Sequence, residues 1–184
     1  MHTETEKQLL LKLASDSIEY GLQNHKIMPT NINEFPENLR GQGASFVTLQ
    51  INKQLRGCIG SLQTYQPLIK DLVHNAYAAA FSDPRFPPLT QEEFSNIDIH
   101  ISILSKPEPM QFTSEQNLIS QLRPEIDGLI LSDNGHRGTF LPSVWESLPE
   151  PKLFLSHLKL KAGLPQNYWS DTLTVQRYTV ESIP

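Results

Sequence analysis

The stretch SFVTLQINKQLRGCIG, residues 45–60, decides the fold, because it has the pattern of two strands joined by a short polar connection. Val47, Leu49 and Ile51 recur at every second position, which is the spacing of a strand with one buried face. The polar residues 52–54 separate this strand from an apolar stretch that begins at Leu55. The segment therefore predicts a β-hairpin, with Leu55-Arg56-Gly57-Cys58-Ile59-Gly60 on its second strand.

Further strand signals lie outside this hairpin. Residues 97–103 alternate isoleucine with Asp98, His100 and Ser102, which predicts a strand with one apolar and one polar face. Asn134-Gly135 lies between two apolar runs and is a strong signal for a second hairpin. A last strand is expected at residues 173–180. Two hairpins favour a mainly antiparallel sheet over a parallel one.

Helical segments are interspersed with these strands. Thr3 and Glu6 have the spacing of a capping box at the start of a helix that ends near residues 21–24, and Thr90 and Glu93 have the same spacing. Further helices are expected from Pro67 through Ala80, from Ser114 through Leu122, and at residues 142–148 and 151–162. The sequence predicts an α+β fold, a mainly antiparallel sheet with flanking helices, formed as one domain over residues 1–184.

Composition limits the classes of function. The chain has 184 residues, a formal net charge of -5 and no block of basic residues, so we expect it to bind neither nucleic acid nor a membrane surface. No signal-peptide pattern and no apolar run of about 18 residues is found, and we expect a cytoplasmic protein. The single cysteine, Cys58, allows no internal disulfide.

The segment around Cys58 is the best candidate for chemistry. On an extended strand, Arg56 and Cys58 point the same way, on the order of 7 Å apart. A nearby guanidinium favours the nucleophilic thiolate, and Gly57 and Gly60 let a ligand come close. The alternative is that Cys58 is a small buried residue and that the glycines permit a bulge or tight packing.

Other polar residues are weaker candidates. His100, His136 and His74 are the histidines that we consider as a base for the cysteine, although each also suits a solvated position. Asp83 and Arg85 lie in a loop stiffened by three prolines, where they pair with each other, cap the preceding helix or present charge to a ligand. No metal-binding motif is present, and neither a metal nor a cofactor is predicted.

Six motifs follow one another along the chain: Gly43–Leu49, Leu55–Gly60, Asp83–Leu89, Ile101–Leu104, Gly138–Pro142 and Lys161–Leu164. Together they resemble the AMMECR-type domain family. The resemblance implies an α+β fold with a larger and a smaller lobe, and the hexapeptide at the cleft between them. It also implies similarity to protein A of the AmmeMemoRadiSam system, with a Memo-like protein and a radical S-adenosylmethionine protein as partners.

The family's activity is unsettled, so two hypotheses remain for this chain. In the first, the cleft binds a small ligand or a modified residue, with Cys58 as reactive thiol and Arg56 as partner of the thiolate or of an anion. In the second, the protein is a non-catalytic adaptor that docks the Memo-like and radical proteins. The resemblance carries seven residues over as site candidates: catalytic Cys58 and Arg56, and ligand-binding Gly57, Gly60, Asp83, Arg85 and Phe86.

Overall fold

The computed structural model describes residues 1–184 and contains five α-helices and nine strands. Three short 3-10 turns lie at Ile32–Glu34, Glu37–Leu39 and Pro142–Glu146. In chain order the other elements are α1 (Glu4–Asn24), β1 (Gln42–Ile51), β2 (Gln54–Gly60), β3 (Gln66–Pro67), α2 (Leu68–Phe81), α3 (Gln91–Phe94), β4 (Asp98–Leu104), β5 (Glu108–Pro109), α4 (Glu115–Gln121), β6 (Gly128–Asp133), β7 (His136–Phe140), α5 (Pro151–Lys161), β8 (Thr174–Tyr178) and β9 (Val180–Ile183).

The chain divides into two compact units. The larger unit comprises residues 1–104 together with the C-terminal residues 181–184, and the smaller unit comprises residues 105–180. Each unit has its own sheet and its own apolar core. The α+β class and the antiparallel pairing are confirmed. The sequence predicted one sheet, whereas the structure has two.

The larger unit packs α1 and α2 against one face of a five-stranded sheet. Its strands follow the order β2-β1-β4-β9, and β3 pairs with the start of β1. Val47 and Leu49 of β1 and Ile101 of β4 point to this face, where they meet Leu72 and Ala76 of α2. Because side chains alternate along a strand, Thr48 and His100 lie on the other face.

The smaller unit has a four-stranded sheet in the order β5-β8-β6-β7. Trp145 and Phe154 stack in its core with ring centroids 3.7 Å apart. Gly138 of β7 allows close approach to the end of α5, since a Cβ there would lie 2.8 Å from the Ala162 nitrogen. Two of the six sequence motifs, residues 138–142 and 161–164, therefore meet in this packing.

Most local predictions agree with the structure. The capping boxes at Thr3 and Thr90 are both formed, and Ser114 caps α4 with its side chain. Asn134 and Gly135 both have positive φ in the turn between β6 and β7. The predicted strand at residues 173–180 divides into β8 and the start of β9. None of the helices combines the length and apolar character needed to cross a membrane.

Candidate functional site

The hexapeptide 55–60 lies on β2, an edge strand of the larger sheet. Leu49 pairs with Gly57 but Gln50 pairs with Leu55, so Arg56 is an additional residue with no partner in β1. This is the register of a β-bulge. The regular alternation of side chains along β2 is therefore interrupted at Arg56. The expectation that Arg56 and Cys58 point the same way depended on that alternation, so it does not hold.

Cys58 lies on the face of the sheet opposite the core. Strand register places Cys58 opposite Thr48, and Thr48 opposite His100, so the three side chains form one row across β2, β1 and β4. All three residues are half-buried. The Thr48 hydroxyl donates a hydrogen bond to the Cys58 sulfur over 3.2 Å. Cys58 is thus not part of the apolar core. The packed-thiol alternative had placed it there.

The outer edge of β2 is covered by the proline-rich loop at Cys58. The Cys58 N–H donates to Asp83 Oδ2 at 2.9 Å, and the Cys58 carbonyl accepts from Arg85 Nη2 at 3.2 Å. Both backbone groups would otherwise be open to another strand, because β2 is an edge. Asp83 and Arg85 therefore form the hydrogen bonds with the Cys58 backbone that a neighbouring strand would otherwise form.

Asp83 and Arg85 also form an ion pair with each other. Asp83 is 4% exposed and accepts from Arg85 Nη2 at 2.7 Å and from Arg85 Nε at 3.0 Å. These hydrogen bonds lower the pKa of the Asp83 carboxyl far below its ordinary value, and those from the Cys58 and Arg85 N–H groups lower it further against the opposing effect of burial. The same pair raises the pKa of Arg85. Opposite charges thus lie close together beside the thiol.

Arg56 is held by a second ion pair. It is 8% exposed, and its Nε and Nη2 donate to the two carboxylate oxygens of Glu93 at 2.8 and 2.9 Å. Nη2 also donates to the Pro87 carbonyl at 2.9 Å, while the buried Nη1 has no partner. The guanidinium lowers the pKa of Glu93 to about 2. Glu93, which was predicted only as a capping residue, is the main partner of Arg56.

Phe86 links the two ion pairs. Its ring centroid lies 5.7 Å from the Arg56 guanidinium carbon and 5.6 Å from that of Arg85, both within the range of cation–π attraction. Asp83, Arg85 and Phe86 are therefore brought together with Arg56 and Cys58 along the outer edge of β2. Their contacts fasten the loop at residues 83–93 to the strand.

The two glycines of the hexapeptide have packing roles. A Cβ on Gly57 would lie 2.1 Å from the carbonyl oxygen of Ala79, so only glycine allows β2 to approach α2 this closely. A Cβ on Gly60 would lie 2.2 Å from the Phe46 ring, which covers this position beside Cys58. Their role in ligand binding stays a prediction.

A buried polar cluster anchors the segment that follows the hexapeptide. The carboxylate of Asp71, which is fully buried in α2, accepts from the Ser45 N–H and hydroxyl at 2.8 Å and from the Ser61 hydroxyl at 2.7 Å. It also accepts from Asn75 at 2.9 Å and from Gln66 at 3.3 Å. This cluster was not predicted from the sequence. Asp71 and Asn75 at helical spacing on an apolar helix face were the available signal.

A groove of about 880 Å3 lies in the larger unit and includes one residue of the Cys58 row. Its walls include Lys12 and Asp16 of α1, Gln50 of β1, and Asp98 and His100 of β4. Cys58 does not line this groove. His100 is thus shared between the groove and the row that contains the thiol.

The other candidate histidines lie elsewhere. His136 is in the smaller unit, where its Nδ1 lies 3.1 Å from the Ala162 carbonyl oxygen, and His74 is exposed on α2. No group of three or more His, Cys, Asp or Glu side chains is placed to hold a metal ion. Among the three, only His100 shares a sheet face with Cys58.

The fold and the hexapeptide define a class: an α+β protein with two antiparallel sheets and LRGCIG on an edge strand. The AMMECR1 family model matches residues 11–183. A protein of Methanothermobacter thermautotrophicus is 37% identical over 174 residues, which cover 92% of this chain and 88% of that protein. A protein of Thermotoga maritima is 40% identical over 149 residues, which cover 79% of this chain and 80% of that protein.

A solved structure agrees with this match. The crystal structure of uncharacterized protein PH0010 from Pyrococcus horikoshii has a TM-score of 0.79 and 31% identity to this chain, and the match covers 95% of this chain and 88% of that one. This chain belongs to the AMMECR1 family, which confirms the resemblance drawn from the six motifs.

Proposed function

We propose that the larger unit binds a small ligand, or a modified residue, on the polar face of its sheet, with the thiol of Cys58 as the reacting group. The observation that carries this proposal is the position of the sulfur. Cys58 is half-buried on the face opposite the core and accepts a hydrogen bond from Thr48. A cysteine retained only for packing is usually buried among apolar side chains.

The surroundings of the thiol supply further groups for recognition. Phe46 presents an aromatic ring beside it, while His100 and Ser102 present polar groups on the next strand of the same face. Arg85 has a half-exposed side chain next to the Cys58 backbone. An apolar surface with a few directed polar groups is typical of small-molecule sites.

The proposal is tested with small acrylamide probes that alkylate thiols, followed by intact-mass spectrometry of the folded protein. A binding site next to Cys58 holds a probe before it reacts, so the labelling rate should saturate as the probe concentration rises for at least some probes. The matched Cys58→Ala variant should show no adduct. The same probes on urea-unfolded protein provide the control, where the rate should rise linearly.

Two results would count against the proposal. If every probe labels the folded protein with a rate that stays linear in concentration, the thiol is accessible but has no adjoining site. If no probe labels the folded protein at all, the thiol is not available for chemistry.

An adaptor function is the second candidate, and the proline-rich loop favours it. Pro84, Arg85, Pro87 and Pro88 are exposed, while the buried Asp83 and the Arg56 hydrogen bond to the Pro87 carbonyl fix the loop in place. A rigid exposed loop loses little conformational entropy when a partner binds it. Under this alternative the loop docks the Memo-like protein and the radical S-adenosylmethionine protein.

Co-purification separates the two candidates. The protein is expressed with a Memo-like protein and a radical S-adenosylmethionine protein, as wild type, Cys58→Ala and Arg85→Ala. A complex that survives Cys58→Ala but is lost in Arg85→Ala supports the adaptor function. If neither the wild type nor either variant forms a complex, the ligand site is the better account.

A further inference from the structure

We propose that the groove between α1 and β4 binds an extended peptide segment of a partner protein, which adds to the sheet as a short strand. This inference goes beyond the proposed function, because Cys58 does not line the groove. The segment that fits carries an apolar side chain followed by a basic one. Its backbone pairs with Ile99, on the edge of β4 that faces away from β1.

β9 covers only part of this edge. β4 has seven residues and β9 has four. The Ser105 N–H donates to the Thr179 carbonyl at 2.9 Å, and the paired strands lead away from this bond in opposite chain directions, so they are antiparallel. Counting from the bond places Ile183 opposite Ile101, and both side chains lie in the same apolar core. Ile99 therefore lies beyond the end of β9, with no strand beside it.

The backbone groups of Ile99 point to this open side. Cys58 directs its N–H and C=O to the proline-rich loop, so the opposite residue, Thr48, directs its own groups toward β4 and forms a hydrogen-bonded pair with His100. Pair types alternate along an antiparallel ladder, so Ile99 directs its N–H and C=O away from β1. An unpaired N–H and C=O at a strand edge can accept a further strand.

α1 forms the opposite wall of the groove. In its first turns it neighbours β9, since Lys7 Nζ lies 3.9 Å from Glu181 Oε1. The next residues face the groove at helical spacing on one side of the helix: Gln8, Leu11, Lys12, Ser15 and Asp16. This stripe is about 12 Å long at the rise of an α-helix, which is the length of about three to four residues in a strand. The groove thus has the length of a short strand.

The floor of the groove selects an apolar side chain. A partner residue opposite Ile99 shares its face of the sheet, so its side chain meets Leu11, Ile97 and Ile99. These three side chains are only partly buried where they pack against the core of the larger unit. An apolar residue at this position of the partner covers them.

Charge selects the residue that follows. It lies opposite Asp98, which is exposed and forms no ion pair, so a basic side chain is favoured there. Of the two lysines in the groove, Lys12 is paired with Asp16, and Lys53 belongs to the turn after β1, past the residue that pairs with Asp98. The net charge of -5 also favours a basic partner.

The experiment titrates the isotope-labelled full chain with the peptide acetyl-Thr-Val-Lys-Val-amide and follows amide signals by NMR. Titration to about 10 mM detects millimolar affinity. We expect signal shifts at residues 8–16 and 97–100, and slower hydrogen exchange of the Ile99 N–H, because it donates to the peptide. A control peptide with proline in place of the first valine lacks the N–H that pairs with Ile99, and it should bind about two- to tenfold more weakly.

Variants of the protein test the two walls. Ser15→Tyr places a bulky neutral side chain in the groove and should abolish the shifts. Thr5→Tyr is the matched control, because Thr5 is exposed on the same helix outside the groove. Asp98→Asn should weaken binding about two- to fivefold, and this loss should disappear when glutamine replaces the lysine of the peptide. Circular dichroism verifies that every variant is folded.

Three results would overturn the inference. The first is that no shift appears at the groove at about 10 mM peptide. The second is that shifts appear without slower exchange at Ile99, which would mean binding without strand pairing. The third is that groove signals depend on protein concentration without peptide, which would assign the groove to a second copy of the chain. Loss of binding in Ser15→Tyr but not in Thr5→Tyr supports the inference.

The outcome is independent of the proposed function. Cys58→Ala should bind the peptide as the wild type does, because the thiol lies outside the groove. A peptide that fails to bind leaves the labelling experiment at Cys58 unaffected.

Discussion

Arg56 is bound to a carboxylate instead of lying free beside the thiol two residues away. Its side chain is largely buried, and both oxygens of Glu93 accept from it in a paired arrangement that lysine cannot reproduce. The primary role that the contacts support for Arg56 is to hold the loop at residues 83–93 on β2. Its part in catalysis stays a prediction.

Replacing Arg56 by lysine should lower the free energy of unfolding by about 1–3 kcal/mol, because one charge-assisted hydrogen bond to Glu93 and the bond to the Pro87 carbonyl cannot both be kept. Urea unfolding measures the change. Arg137→Lys is the matched control, since Arg137 is exposed, and it should change stability by less than about 0.5 kcal/mol. Equal effects of both substitutions would contradict the anchoring role.

Gly57 is needed for the close packing of β2 against α2. A Cβ there meets the Ala79 carbonyl oxygen at 2.1 Å, and backbone cannot move aside as a flexible side chain can. Gly57→Ala should therefore destabilise the protein by about 1–3 kcal/mol in urea unfolding. Gly41→Ala is the control, because nothing lies within 4 Å of its added Cβ. A neutral Gly57→Ala would show that β2 and α2 are less closely packed.

At the scale of elements, Asp71 joins α2 to β1 and to the segment after β2. Asn at this position would turn an N–H2 group toward donors from Ser45, Ser61 or Asn75. Asp71→Asn should lower the free energy of unfolding by about 1–3 kcal/mol, as expected for a buried polar group left without a partner. Hydrogen exchange at residues 61–66 should also become faster. Unchanged exchange there would contradict the anchoring of this segment by Asp71.

The elements themselves were largely predictable from the sequence, and for physical reasons. Capping boxes, proline at helix starts and alternation along strands are local signals, and the hairpin at residues 45–60 carries them clearly. The glycines of the hexapeptide indicated a bulge as one alternative, but its position at Arg56 was not predictable, because the pairing with β1 decides which residue is additional. The split of the expected sheet into two depends on contacts between distant segments, which alternation does not encode.

The candidate site was predictable in location but not in its contacts. The hexapeptide and the Asp83–Leu89 loop were identified from their residues, and they do meet. The partners of Arg56 and Cys58 were missed because Glu93 and Thr48 are far from them in the chain. Strand register and loop docking, which set those contacts, come from tertiary structure.

At the scale of the whole molecule, the chain returns to the larger unit at its C-terminal end. Ile183 is 1% exposed in the core of that unit, and Glu181 accepts from the His2 N–H at 3.0 Å. Ile183→Ala should lower the free energy of unfolding by about 2–5 kcal/mol. Circular dichroism is the right probe, because both tryptophans lie in the smaller unit. The exposed Ile126 provides the control, and an equal effect of Ile126→Ala would contradict this packing.

Acid should destabilise the folded protein through its ion pairs. Glu93 has a folded pKa of about 2 against an ordinary value of 4.5, so its contribution is present above pH 4.5 and is lost as the pH falls toward 2. Asp83 acts in the same direction. The stability difference between wild type and Glu93→Gln should therefore be largest at neutral pH and shrink below pH 4.5. A difference that is constant from pH 7 to pH 2.5 would contradict the ion pair.

The central claim is that Cys58 is a thiol on an open sheet face and not a core residue. The most direct test compares the rate of iodoacetamide labelling of Cys58 in folded protein and in urea-unfolded protein at pH 7.5. We predict that the folded protein is labelled without prior unfolding, because the sulfur is half-buried on the sheet face opposite the core. A folded protein that stays unlabelled while the unfolded chain reacts would place Cys58 in the packed interior and contradict the account.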